Sequence, residues 1–406
     1  MTLTMPGCEK AGATRIRGCL WYVNNMPVRI GLIGCGNIAC QMHAPTYKAM
    51  PEVQVCAVAD VTPARLSLMK ELLNLSDADC YSETEQLLMR DDIDCVVIMT
   101  PQQFRREIVI AAAQAGKQIL CEKPIAVAPQ DADAMIAAAR QAGVRFGMVH
   151  NYIFFPEVLL IKELIETGAI GDVVVVVQNY LSVEDRPAAA EYKPDWRHNP
   201  GFSGGGVLMD MIHPVYLAEW FFGSPIRSVS AAIDRRADTA SAVEDLALVR
   251  LEFDDGYGLI NMAWGEGPGG IEITGTRGRI LVFYKNFGTC PFMPVDQIYV
   301  VTRDRVMTPH LDRPVDYTTF FRQTFQPLVR DFIESIKEGR EPIASAEAGK
   351  RALEAVLGCY ESAALERVVY LPLPSDDPVY RSGVAGLSDL AIDGNNRLKR
   401  RRLYGL

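Results

Sequence analysis

Gly31-Leu32-Ile33-Gly34-Cys35-Gly36-Asn37-Ile38-Ala39 closes the apolar run Val28–Ile33 and decides how the first third of this chain folds. Read as G-x-G-x-x-A, Gly34 makes the tight turn out of a strand and Gly36 leaves the backbone bare for a pyrophosphate. Ala39 lets the following helix lie close to the sheet. The start of that helix, around Asn37 and Ile38, offers free N–H groups and the positive end of its dipole to phosphate oxygens. A lone glycine fingerprint is a weak signal. Here it follows a strand, opens a helix, and is followed at the end of the next apolar run by Asp60, where a carboxylate takes the adenosine ribose hydroxyls. The expected ligand is NAD. A carboxylate repels the 2′-phosphate of NADP, although Arg65, one helical turn on, leaves NADP open.

Outward from this stretch, near-continuous apolar runs (Val53–Ala59, Cys95–Met99, Gln118–Cys121, Arg145–Val149) alternate with helical ones (Ala44–Met50, Ala64–Leu75, Glu83–Met89, Phe104–Ala115, Gln130–Ala142). That alternation predicts a doubly wound parallel sheet covered on both faces. Past Tyr152 comes an amphipathic helix, Glu157–Thr167. The extended runs Val173–Tyr180, Ile226–Ile233, Leu246–Phe253, Gly258–Ala263, Gly270–Thr274 and Arg279–Phe283 follow, several joined by short Gly/Asp turns. Such runs predict an antiparallel sheet, closed by helices Phe325–Lys337 and Ser345–Glu366. The fold class expected is therefore α/β plus α+β. A Rossmann dinucleotide-binding domain spans 27–150, and a domain for substrate and oligomerisation, built on a large open sheet, spans 151–374, with a ligand cleft at the junction. Residues 1–26 read as a disordered or non-native extension, with Met26 an alternative start. Residues 375–406 read as an extended tail carrying the basic run Arg397–Arg402.

Of the 406 residues, 41 are Lys or Arg against 50 Asp or Glu, a net charge of −9 that argues against a nucleic-acid binder. The ten cysteines form no CxxC pair and no His-spaced set, so neither a disulfide framework nor a metal site is expected. Several lie in apolar runs (Cys35, Cys56, Cys95, Cys121), as buried reduced thiols of a cytoplasmic protein do. The longest apolar stretches fall short of the ~20 residues of a membrane span.

Two later stretches are more specific. Asp94-Cys95-Val96-Val97-Ile98-Met99-Thr100-Pro101 ends a strand on Thr-Pro, and Ala115-Gly116-Lys117 leads to Cys121-Glu122-Lys123-Pro124. With these elements in this order, the chain from about Pro27 to Leu373 resembles the glucose–fructose oxidoreductase, inositol dehydrogenase and rhizopine-catabolism (Gfo/Idh/MocA) family. Gly204-Gly205-Gly206-Val207-Leu208-Met209-Asp210 and His213, preceded by Trp196-Arg197, resemble its catalytic segment. The resemblance implies that Lys123 sits by the nicotinamide, orienting and polarising the substrate oxygen. It implies that His213 is the general base and that Asp210 orients or assists it. Thr100 and Pro101 would line the nicotinamide ribose, Glu122 would contact the same half of the cofactor, and Asn151, Tyr152, Trp196 and Arg197 would face the substrate. A homodimer or homotetramer is also implied. The division of labour is chemically sound: alcohol oxidation releases a proton, imidazole titrates near 6.5, and a neighbouring cation stabilises the developing alkoxide.

Three departures from the family pattern stand out. Asp210 and His213 are one residue closer than usual, though three-residue spacing on a helix still shares a face. Arg105 stands where a histidine is common, and Gln102 replaces Asn. Asn151-Tyr152-Ile153-Phe154 lacks the usual Arg, leaving an aromatic wall of Tyr152, Phe154 and Phe155 suited to a sugar ring. The other histidines, His43, His150, His198 and His310, have no supporting motif and read as structural or solvated. The expected activity is NAD(P)-dependent oxidation of a secondary alcohol on a sugar, cyclitol or glycoside. The alternatives are a glycosidase working by transient oxidation and elimination, and a non-catalytic nucleotide-binding sensor.

Overall fold

The computed structural model describes residues 26–183, 198–235, 242–264, 269–284, 295–311 and 317–390. Six strands, β1 (Val28–Ile33), β2 (Val53–Ala59), β3 (Cys80–Tyr81), β4 (Cys95–Ile98), β5 (Gln118–Cys121) and β6 (Phe146–Met148), pair in parallel in the order β3-β2-β1-β4-β5-β6. This is the doubly wound order of dinucleotide-binding domains, whose direction reverses between β1 and β4, so a crevice opens at the carboxyl ends of those two strands. The apolar runs are strands because both faces are covered; every residue of β4 is buried.

Nine strands form the second sheet: β7 (Val173–Val183), β8 (Ser228–Asp234), β9 (Leu246–Glu252), β10 (Tyr257–Trp264), β11 (Gly269–Gly275), β12 (Gly278–Tyr284), β13 (Val295–Thr302), β14 (Val306–Met307) and β15 (Val369–Tyr370). Their order is β14-β13-β12-β11-β7-β10-β9-β8-β15, antiparallel except where β7 and β10 run side by side. Burial alternates along β9 and β10, so one face is core and the other open. The helix His213–Phe222 lies against β7, and Ala346–Leu365 lies along β8 and reaches the helix Pro129–Ala142 of the first domain. On the open face Leu248, Tyr257, Leu259 and Phe283 are each at least 40% exposed. Among the described residues no helix is long and apolar enough to cross a membrane.

The tail expected from residue 375 does not begin there. Asp377 caps a helix, Pro378–Ser382, by accepting the Val379 N–H at 2.7 Å, and a 3₁₀ segment, Gly383–Asp389, follows. Val379, Tyr380, Val384 and Leu387 are buried, and the Tyr380 hydroxyl bonds Asp133 on the helix Pro129–Ala142. The turn-rich composition suggested a solvated tail, but four apolar side chains spaced through it are buried where the segment packs on that helix and on Ala346–Leu365. Residues 1–25 and 391–406, with the basic run, lie outside the described residues.

A chain ended at Pro374 uncovers this packing surface. Each fully buried aliphatic side chain contributes roughly 1.5–3 kcal/mol, so thermal denaturation followed by circular dichroism should show Tm lowered by at least ~5 °C. An unchanged Tm would mean that the segment adds no stability.

Candidate active site at the domain junction

The dinucleotide end is built from backbone. Gly34 has φ 94°, and a Cβ there would stand 2.9 Å from the Met99 carbonyl carbon and 3.0 Å from the Thr100 nitrogen. Only glycine lets the exits of β1 and β4 pass this closely. A Cβ on Gly36 would meet nothing within 4 Å, so space lies open above the loop. The helix begins at Asn37 and Ile38 and widens into a π turn, Ala39–His43, before Ala44–Lys48. Ala39 is fully buried, as its packing position requires. Asp60 accepts the Cys35 N–H at 2.7 Å and the Thr62 N–H at 2.8 Å. Arg65 Nε donates to the Cys35 carbonyl at 2.7 Å, so carboxylate and guanidinium grip the glycine loop from one side. The hydroxyl of Thr100 at the β4 exit is buried and has no partner. A bare glycine loop, a carboxylate at the end of β2 and an unsatisfied hydroxyl at the end of β4 together fit a dinucleotide lying across the strand ends.

At the exit of β5, Glu122 is buried. Its Oε1 lies 2.8 Å from His43 Nε2, and its Oε2 accepts the Lys123 N–H at 3.1 Å. Burial pushes this carboxyl up, but the His43 hydrogen bond and the charges of His43, Lys123 and Arg105 outweigh it and hold Glu122 below the ordinary glutamate value. His43 therefore has a defined task, tying the first helix to the Glu-Lys-Pro turn. Arg105 has one as well. Its Nε donates to the Thr100 carbonyl at 2.9 Å, and its Nη1 donates to the carbonyls of Glu122 and Pro124. Gln102 Nε2 donates to the Ser203 carbonyl at 3.1 Å, joining the Thr-Pro turn to the second domain.

From the second domain comes the short helix Val207–Asp210. Lys123 Nζ donates to the Asp210 carbonyl at 2.7 Å and lies 3.7 Å from its carboxylate. Asp210 and His213 do not share one helix face. Met211 leaves helical backbone (φ −98°, ψ 49°), and His213 starts the next helix with Pro214 behind it. Pro214 cannot donate, so the break falls there at little cost.

His213 is held by two tyrosines. Its Nδ1 is 2.6 Å from the Tyr216 hydroxyl, and its ring stacks on Tyr152 with centroids 3.6 Å apart. Burial, then the charges of Lys123 and His150, push its pKa well below the ordinary value, so the ring is neutral at physiological pH. His150 stacks on Tyr216 at 3.9 Å and is itself lowered to about 3, chiefly by burial. The aromatic wall is thus partly used up: Tyr152 gives one ring face to His213, and Phe154 and Phe155 are buried. Asn151 is buried in the same 3₁₀ turn. Trp196 and Arg197 lie outside the described residues.

Glu244 gave no sign in the sequence. It is buried, accepting the N–H groups of Gly206 (2.9 Å) and Leu208 (3.0 Å) and the Tyr360 hydroxyl (2.7 Å). It thereby caps the helix that carries Asp210.

Asp60 and Arg65 thus close on the glycine loop, whose Gly34 abuts Thr100 at the exit of β4, while Glu122 and Lys123 at the exit of β5 meet Asp210 of the second domain, with His213 stacked on Tyr152 three residues on. A nucleotide-binding α/β domain whose strand ends face a lysine and a neutral histidine defines a dehydrogenase-type site. The comparisons agree with that class. The family model for the NAD-binding Rossmann fold of the Gfo/Idh/MocA oxidoreductases matches residues 28–150, and the model for their C-terminal alpha/beta domain matches 162–371. The chain belongs to this family. It is 31% identical to myo-inositol 2-dehydrogenase of Thermotoga maritima, over 80% of this chain and 93% of that protein. It is 24% identical to D-glucoside 3-dehydrogenase of Escherichia coli, over 84% and 97%. The solved structure of a levoglucosan dehydrogenase in complex with NADH superposes with a TM-score of 0.73 at 25% identity, covering 86% of this chain and all of that one.

Burial raises Glu244 to about 7, against the opposing hydrogen bonds. A carboxyl raised on folding contributes stability below the unfolded value that is lost as pH rises through the folded one. The loss here is roughly 3 kcal/mol between about pH 4.5 and 7. Glu244→Gln does not ionise. Urea unfolding at about pH 4.5 and 8 should therefore show wild type losing roughly 3 kcal/mol relative to the variant; a constant difference would contradict this.

Proposed function

We propose that this protein is an NAD-dependent dehydrogenase of polyhydroxylated rings, oxidising a secondary alcohol of a sugar, cyclitol or glycoside. The observation that carries the reading is the meeting of Lys123, from the nucleotide-binding domain, with the Asp210–His213 segment of the second domain. The similar proteins named above are dehydrogenases of an inositol, a glucoside and levoglucosan, which supports the substrate class. Gly34, Gly36, Asn37, Ile38, Ala39 and Asp60 would hold the adenosine and pyrophosphate half of the cofactor, and Thr100, Pro101 and Glu122 the nicotinamide half. Bound NAD supplies the hydride acceptor. Lys123 donates to the substrate oxygen and stabilises negative charge growing there. His213, buried and neutral, has Nε2 left for the substrate once Nδ1 is engaged by Tyr216, and takes the hydroxyl proton. Asp210 keeps Lys123 in place.

The open sheet face supports a homodimer or homotetramer, since a patch holding Leu248, Leu259 and Phe283 is buried at low cost against a second copy.

Lys123→Met and His213→Ala should each lower turnover at least ~100-fold while NAD still quenches protein fluorescence; turnover within a few fold of wild type in both would refute the assignment. Because His213 is held far below the usual histidine range, kcat/KM should stay flat down to about pH 6 and fall only in more acid solution. A midpoint at or above about 6.5 would contradict a buried neutral base. Leu259→Asp should convert the oligomer to monomer in light scattering, whereas an unchanged mass would place the interface elsewhere.

A further inference from the structure

We propose that Arg105 is the positioning residue of Lys123, a guanidinium that locks the two strand exits of the nucleotide-binding domain into one rigid frame. The proposal rests on the reading of Lys123 as the group that meets the substrate.

Carbonyls at the carboxyl ends of parallel strands lose their ladder partners where the strands stop. Three carbonyls of the turns just past β4 and β5 converge here. Arg105 Nε takes the Thr100 carbonyl at 2.9 Å, and Nη1 takes those of Glu122 and Pro124. The last two flank Lys123, so its backbone is gripped on both sides, while its Nζ is fixed on the Asp210 carbonyl at 2.7 Å. Arg105 is itself only 4% exposed, and among the described residues its hydrogen bonds go to carbonyls and none to a carboxylate. A buried cation held this way needs nearby negative charge, and Glu122, kept ionised by His43, supplies it. The arrangement uses what only a guanidinium offers, planar donors spread over two edges. A lysine presents a single point of charge and cannot reach Thr100 on one side and Glu122 and Pro124 on the other.

A shift of about 1 Å in a group that meets the substrate can cost about 100-fold in rate. Arg105→Ala should lower kcat by about that factor, with KM for NAD within about threefold, because the adenosine end at Asp60 is untouched. Arg105→Lys should keep less than about a tenth of the turnover despite retaining the charge. If Arg105 acts through Lys123, adding Arg105→Ala to Lys123→Met should cost less than about threefold more. Added guanidinium at millimolar concentration should restore the folded Arg105→Ala variant about tenfold, an effect opposite to its action as a denaturant.

Turnover of Arg105→Ala within threefold of wild type would overturn the proposal. So would full additivity with Lys123→Met, or a folded variant that guanidinium does not rescue. If Arg105→Ala does not fold, Arg105→Lys carries the same cycle. A fully active Lys123→Met would overturn the functional reading instead, so the two failures are distinguishable.

Discussion

At the candidate site an ammonium bridges the two domains. Lys123 leaves the nucleotide-binding sheet at the exit of β5 and donates to the carbonyl of Asp210, the last residue of a short helix in the second domain. Around that bond each side is braced separately. The first domain holds the lysine with Arg105, and with Glu122 backed by His43. The second holds the acceptor with Glu244, which caps the helix, and Tyr360, which bonds Glu244. The arrangement costs desolvation of several charged groups, and it persists because each of them has polar partners close enough to offset that cost. Its product is a lysine and a neutral histidine fixed beside the ends of strands built to take a dinucleotide.

Much of the architecture was legible because the periodicities are strong. Strands apolar on both faces leave no alternative to a covered parallel sheet, and the Gly34/Gly36/Asp60 set recurs in the structure as a bare loop with a carboxylate drawn against it. The Glu-Lys-Pro and Thr-Pro turns were legible only through resemblance, since nothing in their local pattern says that the two exits meet. Their meeting depends on the strand order, which brings residues more than twenty positions apart in the chain to one crevice.

What escaped the sequence were the long-range polar partners. Arg105 was visible as an oddity, but its target is three backbone carbonyls, which leave no trace in side-chain patterning. Glu244 lies in a loop with no motif, and its partners come from a glycine run and a helix more than a hundred residues on. The shared-face reading of Asp210 and His213 failed because Met211 leaves helical backbone and His213, with Pro214 behind it, starts a fresh helix. The segment after Ser375 was misjudged for a related reason: turn-forming residues fix the local path of a chain and say little about whether an apolar side chain among them is buried.

The most direct test is growth of NADH absorbance when the full chain is given NAD with myo-inositol, simple glucosides and anhydrosugars in turn. The account predicts accumulation of NADH with at least one of these rings, at a rate proportional to enzyme concentration. No NADH from any ring polyol, by protein that demonstrably binds NAD, would contradict it and leave a nucleotide-binding protein that releases no reduced cofactor.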